Sequence, residues 1–346
     1  MQFIKSDINI DFIGKRKIAF FISIAMILTS FLSLLIHRGP RYGIDFAGGT
    51  LIQVKFQAPV DIDAVKKGLT SLVLGRSSVQ QFGDLRDNEY LIRTDISETA
   101  EQGFARALGS ALNETTGGDA EIRRVEMVGP QVGKDLRRKA LFAMFFALLF
   151  ITIYISGRFE LKWILSGVMA GALGGAVYLL SLFNVSMPFL IMAALIVALI
   201  LFWFLGLKYA MGAIVALIHD VIITVGIFSI FDKEFTLPII AALLTIIGYS
   251  LNDTIIVYDR IRENSRKYHR QPLGFIINRS VNETLSRTIL TSLTTLFVVL
   301  ALLFLGGGII HDFAFAMMVG VLVGTYSSIY VASPILIAWQ ERGGKQ

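Results

Sequence analysis

Eight long runs of apolar residues, near 18–36, 138–156, 163–183, 188–206, 210–230, 238–258, 287–306 and 313–338, constrain this chain more than any other feature. A helix needs about 20 apolar residues to cross ~30 Å of hydrocarbon, because each residue advances it about 1.5 Å. The runs reach that length, and hydrophobic residues make up 54% of the 346. Inside a bilayer the backbone finds no water to bond, so such runs fold as helices that satisfy their own donors and acceptors. The expected class is a polytopic α-helical membrane protein with about eight transmembrane helices.

Lysine and arginine then set the orientation. Lys5, Lys15, Arg16 and Lys17 precede the first run, and Arg158, Lys162 and Lys208 follow the second and fourth. Residues 259–286 read as a loop with Arg260, Arg262, Arg266, Lys267, Arg270 and Arg279, and the tail adds Arg342 and Lys345. Alternate loops are nearly bare: 184–187 and 307–312 carry no positive charge and 231–237 only Lys233. An even number of spans puts both termini on one side, and the charge makes that side the cytoplasm. The net charge of +6 is thus topology-setting and not a nucleic-acid footprint. The first run is longer than a signal-peptide core and no small-x-small cleavage site follows, so it reads as a retained anchor. With no cysteine, disulfides, thiolate metal sites and cysteine nucleophiles are excluded. Four histidines without HExxH spacing suggest no metal site. No Ser/His/Asp set or carboxylate pair argues for an enzyme, and no cofactor is implied.

Three regions follow. Residues 1–37 hold the cytoplasmic N-terminus and first transmembrane helix, 38–137 an external, periplasmic α/β domain, and 138–346 a transmembrane bundle with a cytoplasmic C-terminus. In the external interval, 50–56 alternates apolar and polar residues as a half-buried strand does. Ile62, Val65, Leu69 and Leu72 recur at helical spacing over 61–74. Short strands are predicted at 78–82 and 90–94, separated by Gly83-Asp84 and Asp87-Asn88. A second helix follows over 98–115 from a Ser97 cap, then a last strand over 122–128. The order βαββαβ predicts an α+β ferredoxin-like module, a fold that does not by itself specify a function.

Ionisable groups in a span cost about 2.5–3.5 kcal/mol each on insertion scales, so they face a bundle interior or water and point to function. Asp253 lies about 7–8 Å inside the end of the sixth run, and Arg287 opens the next run at a similar depth. Across neighbouring helices the arginine favours an ionised Asp253 and desolvation favours the neutral acid, so the pair suits proton uptake and release. Thr291 and Thr294 extend the Arg287 face, while Thr245, Gly248 and Asn252 make a stripe beside Asp253. A fixed structural pair is the competing reading, and the residues alone leave both open. Asp220, beside His219 and one turn from Thr224, sits mid-span as a relay or a helix-packing acid, with the packing role favoured. His219 reads as a helix-interface hydrogen-bonder. Gly167, Gly171 and Gly175, and Gly320 with Gly324, predict close helix contacts.

Seven segments taken in order resemble one family: 42–50 (YGIDFAGGT), 125–133 (VEMVGPQVG), 216–221 (ALIHDV), 241–254 (AALLTIIGYSLNDT), 259–264 (DRIREN), 286–288 (SRT) and 324–328 (GTYSS). They resemble the SecD/SecF family of the RND superfamily, on its SecF side. The resemblance implies an RND-like bundle with a periplasmic domain in the bacterial inner membrane. It implies a SecD partner, the SecYEG channel, YajC and an unfolded preprotein as contacts. It further implies proton coupling by the acid of GYSLND and the arginine of SRT, here Asp253 and Arg287. The function implied is accessory: coupling a proton or sodium motive force to late steps of polypeptide export. An RND-type exporter half or a membrane scaffold would share much of this pattern. A single external domain and a single bundle half favour a subunit that needs a partner.

The family normally has six spans, so this chain carries an apparent extra hairpin at about 163–207, turning at 184–188. The pattern pauses after Leu161-Lys162-Trp163 and resumes at Leu207-Lys208-Tyr209, flanks that suggest an internal duplication.

Overall fold

The computed structural model describes residues 8–72, 74, 77–82, 88–94, 103–182 and 187–343. Helix α1 (Arg16–Ile36) leads to a short α2 (Ile44–Ala47) and then to β1 (Gly49–Phe56), α3 (Ile62–Ser71), β2 (Ser78–Phe82), β3 (Glu89–Thr94), α4 (Phe104–Thr116) and β4 (Ala120–Val128). The four strands form one antiparallel sheet in the order β2-β3-β1-β4, the ferredoxin-like arrangement that the sequence predicts. Alternation along β1 sends Ile52, Val54 and Phe56 into a core with Val65 and Leu69 of α3 and Leu108 and Leu112 of α4. Asp61 caps α3 by accepting from the Asp63 amide. The predicted Ser97 cap and the turn residues 83–87 lie outside the described residues, and α4 begins at Phe104.

The remainder is helical: α5 (Pro130–Ile155), α6 (Trp163–Ser181), α7 (Met187–Leu205), α8 (Lys208–Ile230), α9 (Leu237–Lys267), α10 (Leu273–Leu305), α11 (Gly307–Ser327) and α12 (Ser333–Gly343). Turns with π-helical bonding follow α5 at Ser156–Glu160 and link α11 to α12 at Ser328–Ala332. Among the described residues seven helical stretches are long and apolar enough to cross a membrane, and the eighth predicted span is the shorter apolar stretch Phe189–Leu205 of α7. At about 1.5 Å per residue that stretch is about 26 Å long, slightly under the hydrocarbon thickness. Of the turn predicted at 184–188, residues 184–186 lie outside the described residues, and 187–188 already belong to α7.

Two expectations are corrected. The charged interval 259–286 is not a loop: α9 continues to Lys267 and α10 starts at Leu273. The extension is held by charge and amide pairing. Arg260 and Arg279 bond Glu283 at 2.9 and 2.8 Å, and the Asn264 amide donates to Ser280 Oγ at 3.0 Å. Such i,i+4 and cross-helix pairs sustain helix where apolar patterning stops. The glycine stripe of α6 is not a packing face either. A Cβ on Gly167, Gly171 or Gly175 would meet nothing within 4 Å, whereas one on Gly174 would reach Phe146 of α5 at 3.1 Å. Gly320 and Gly324 do let α11 close on α9, against Ile246 and Ser250.

The sheet sits on one end of the bundle, and the linker before β1 fastens it there. Gly43 N–H donates to Phe235 O at 2.8 Å and Phe235 N–H donates to Arg41 O at 2.7 Å. The Asp45 carboxylate accepts from the Leu237 amide at 2.8 Å. Leu237 is the first residue of α9, whose own Thr236 side chain makes no cap bond. Asp45 therefore caps α9 from another segment. Gly48, at φ +82°, lies so close to α5 that a Cβ there would stand 2.8 Å from Pro130 Cα. Arg93 of β3 and Arg41 add ion pairs to Glu234 in the α8–α9 loop.

Candidate functional site

Among the described residues two carboxylates inside the bundle are each 1% exposed, and their surroundings differ. Asp220 of α8 is fully engaged. Its Oδ2 accepts from Ser250 Oγ of α9 at 2.6 Å and from Ser327 Oγ of α11 at 2.8 Å. Its Oδ1 lies 2.9 Å from His219 Nδ1, and the other ring nitrogen of His219 is 3.1 Å from Ser23 Oγ of α1. Ser23 in turn meets the Tyr326 hydroxyl at 3.1 Å, which donates to Ala19 O at 2.6 Å. Thr224, one turn on from Asp220, bonds the Asp220 carbonyl at 2.8 Å. Four helices thus converge on one polar knot. His219 stands at a helix interface, as its sequence context suggests. Ser23, Ser250 and Ser327 carry no signal in the sequence, because a serine in an apolar run is unremarkable without its distant partner.

Asp253 of α9 is held more loosely. Among the described residues its carboxylate takes one long hydrogen bond, from Ser292 Oγ of α10 at 3.5 Å, and Ser292 Oγ is 2.7 Å from Thr325 Oγ1 of α11. Arg287 acts on Asp253 electrostatically, yet no ion pair closes between them. The level of Asp253 on α10 is that of Ser292. Arg287 lies five residues, or about 7–8 Å, nearer the α9–α10 turn. Its side chain is exposed on the outer face of α10.

The stripe residues also face outward. Thr245, Gly248 and Asn252 of α9 and Thr294 of α10 are exposed, and Thr291 is half-buried. Thr291 and Thr294 turn their hydroxyls back to the Arg287 and Leu290 carbonyls of their own helix. A polar strip therefore runs along the membrane-level surface of α9 and α10, flanked by exposed Leu290, Leu293 and Phe297. The predicted site residues thus form two groups. Asp220 and His219 sit in the closed knot, while Asp253, Asn252, Arg287 and Thr291 sit at or just under this strip.

Helix α9 joins both regions to the sheet. It carries Ser250 and Asp253, and its first turn is held by Asp45 and by the pairing of residues 41–43 with Phe235. Helix α11 also faces both carboxylates, through Thr325 on the Asp253 side and Ser327 on Asp220.

Two family models match this chain. The model for "Protein export membrane protein SecD/SecF, C-terminal" matches twice, at residues 108–200 and 175–342, and the "SecD/SecF GG Motif" model matches 33–60. Over 341 residues the chain is 44% identical to the protein translocase subunit SecF of Magnetococcus marinus, covering 97% of this chain and 94% of that one. It is 39% identical to the SecF of Vibrio alginolyticus, covering 97% and 91%. Among solved structures, SecDF of Thermus thermophilus, described as a translocon-associated membrane protein, superposes with a TM-score of 0.70 at 32% identity. That superposition covers 98% of this chain and 40% of the SecDF chain.

Proposed function

This chain belongs to the SecD/SecF family of protein-export membrane proteins, and from that premise we propose that it is the SecF-type accessory subunit of the Sec export machinery. It uses the ion gradient across the bacterial inner membrane to move its external domain during late polypeptide translocation. Residues 38–137 are periplasmic and both termini cytoplasmic, following the lysine and arginine bias.

The observation that carries the mechanism is the continuity of α9. The helix carries a buried, under-bonded carboxylate at Asp253 and is gripped at its other end by Asp45 and residues 41–43. Proton binding removes the charge of Asp253 and with it the attraction to Arg287. The contacts of α9 with α10 and α11 then favour a second arrangement, and the displaced end of α9 draws the sheet with it. One charge crossing 100 mV supplies about 2.3 kcal/mol, comparable to the few hydrogen bonds that would be exchanged.

The exposed strip of Thr245, Asn252, Arg287 and Thr294 is the face toward a SecD-type partner. Polar groups at membrane level are costly against lipid and are normally covered by another helix. The solved SecDF chain extends well beyond the part matched here, which fits a second bundle half in that position. SecYEG, YajC and an unfolded preprotein complete the set of partners.

The test is preprotein export by vesicles holding this chain with its SecD-type partner, under separately imposed H⁺ and Na⁺ gradients. Asp253→Asn is expected to abolish gradient stimulation while leaving complex assembly intact. Full stimulation in that variant, at matched protein level, would remove Asp253 from the mechanism.

A further inference from the structure

An apolar slot opens on the side of the bundle opposite in character to the polar strip. It has a volume of about 640 Å³ and lies between α1, α7, α8, the α11–α12 turn and α12, which contributes Pro334, Ile335, Ile337 and Ala338. Phe20, Ile24 and Ile27 of α1 form one wall, and Val215, Ile218 and Ile222 of α8 form the facing one. Two cations, Arg16 and Lys17, line the same slot at its α1 N-terminal end. His219, a member of the buried knot, is part of its floor.

We propose that this slot binds one anionic phospholipid, with the headgroup at Arg16 and Lys17 and an acyl chain lying along α1 and α8 over His219. Three features fit that occupant. The volume lies in the ~300–1,000 Å³ range of ligand sites. From Arg16 to Ile27 the slot runs about 16 Å along α1, close to half of a ~30 Å hydrocarbon layer and so one leaflet deep. Its charge is segregated, with cations at one end and apolar walls beyond, which matches an anionic headgroup joined to hydrocarbon. A partner's transmembrane helix would instead run the full thickness and would not need cations at the rim. Under the orientation proposed above the leaflet is the cytoplasmic one, whose anionic lipids attract basic residues. Headgroup selectivity does not depend on that orientation.

Native mass spectrometry of the full chain tests this, with phosphatidylglycerol and phosphatidylcholine of identical acyl chains as probes. Each basic residue near an anionic surface contributes about 1 kcal/mol, roughly fivefold in binding. Arg16 is also engaged within the protein, so the wild-type chain is expected to retain phosphatidylglycerol over phosphatidylcholine by at least about fivefold. The double variant Arg16→Gln/Lys17→Gln should lose that preference, and Lys267→Gln/Arg270→Gln should keep it. Val215→Trp, which fills the slot, should lower retention of both lipids, with monodispersity and helical content confirming its fold. Equal retention of the two lipids by the wild type, or undiminished selectivity in the Arg16/Lys17 variant, would overturn the proposal. Displacement of phosphatidylglycerol by millimolar inorganic phosphate would overturn it as well, since the acyl chain would then contribute nothing.

Discussion

Excising residues 163–208 should leave a chain that still inserts, folds and assembles. With Trp163 placed on Tyr209, Leu161-Lys162-Trp163 repeats as Leu207-Lys208-Tyr209, and α6 lies over α8. In that register Leu173 and Gly174 stand where α8 has His219 and Asp220, so the copy has lost its polar knot. Met187-Pro188 opens α7 as Leu237-Pro238 opens α9, and the C-terminal family model matches twice with an overlap at 175–200. The two corners already touch. Lys162 Nζ donates to Leu205 O at 2.6 Å, and Glu160 Oε1 accepts from the Tyr209 amide at 2.9 Å. Joining Lys162 to Tyr209 rebuilds a Leu-Lys-Tyr corner and keeps the Glu160 bond. It removes the Lys162–Leu205 bond, a charge-assisted contact of about 1.5–3 kcal/mol. The apolar faces of α5 and α8 that the hairpin covers would meet lipid tails, which are as apolar as the side chains they replace. Removing two spans preserves the sidedness of everything downstream. Thermal denaturation in nanodiscs, alongside co-purification with the SecD-type partner, reads the outcome. A loss within about 3 kcal/mol supports the reasoning. A variant that fails to accumulate in the membrane at all would refute it.

Two further outcomes follow from the α9 cap and the α1–α8 contact. Asp45→Ala removes a cap worth about 1 kcal/mol, so thermal stability should fall only slightly while gradient-stimulated export falls severely; a proportionate small loss in both would mean that Asp45 transmits nothing. Gly226→Ala places a Cβ 2.6 Å from Ser30 Cα, forcing α1 away from α8 at a cost of about 1–3 kcal/mol, and a lowered denaturation midpoint in nanodiscs checks it.

The spans were legible from the length of their apolar runs, and the sheet from the alternation of its strands. The alternation in 50–56 predicted the strand whose inward residues are Ile52, Val54 and Phe56, and the βαββαβ order carried the strand order with it. What was not legible depended on partners distant in sequence. Asp45 sits in a short helix flanked by glycines, where a carboxylate is ordinary, yet it caps a helix 192 residues away. The helical extension through 259–286 was hidden because charge marks a loop equally well, and only the Arg260–Glu283 and Asn264–Ser280 contacts make it a hairpin of helices. The α6 glycines show the reverse failure. Their spacing fits close packing, but no neighbouring helix comes within Cβ reach of Gly167, Gly171 or Gly175. Arg287 stands more than a turn from the level of Asp253 because α10 begins at Leu273 and not at Arg287, where the apolar run starts.

The contrast between the two buried acids bears on which of them a proton can use. A group whose protonation changes structure must have competing arrangements of similar energy, and a carboxylate fixed by several short bonds has few. Asp220 is bonded by Ser250, Ser327 and His219 at 2.6, 2.8 and 2.9 Å, on three elements that also pack closely. Altering its charge would disturb all of them together, which makes it a fixed point of the bundle. Asp253 has the 3.5 Å contact with Ser292, whose hydroxyl is shared with Thr325, and an arginine that attracts it without pairing. Either hydroxyl of the Ser292–Thr325 pair can be the donor, so that link can reverse at little cost when the carboxylate gains a proton. Ser250 and Asp253 lie one turn apart on α9, and Ser327 and Thr325 two residues apart on α11. In the proposed cycle those two helices would pivot on the Asp220 knot while the Asp253 end moves, and a rotation of α9 about that point is what the Asp45 grip would carry to the sheet.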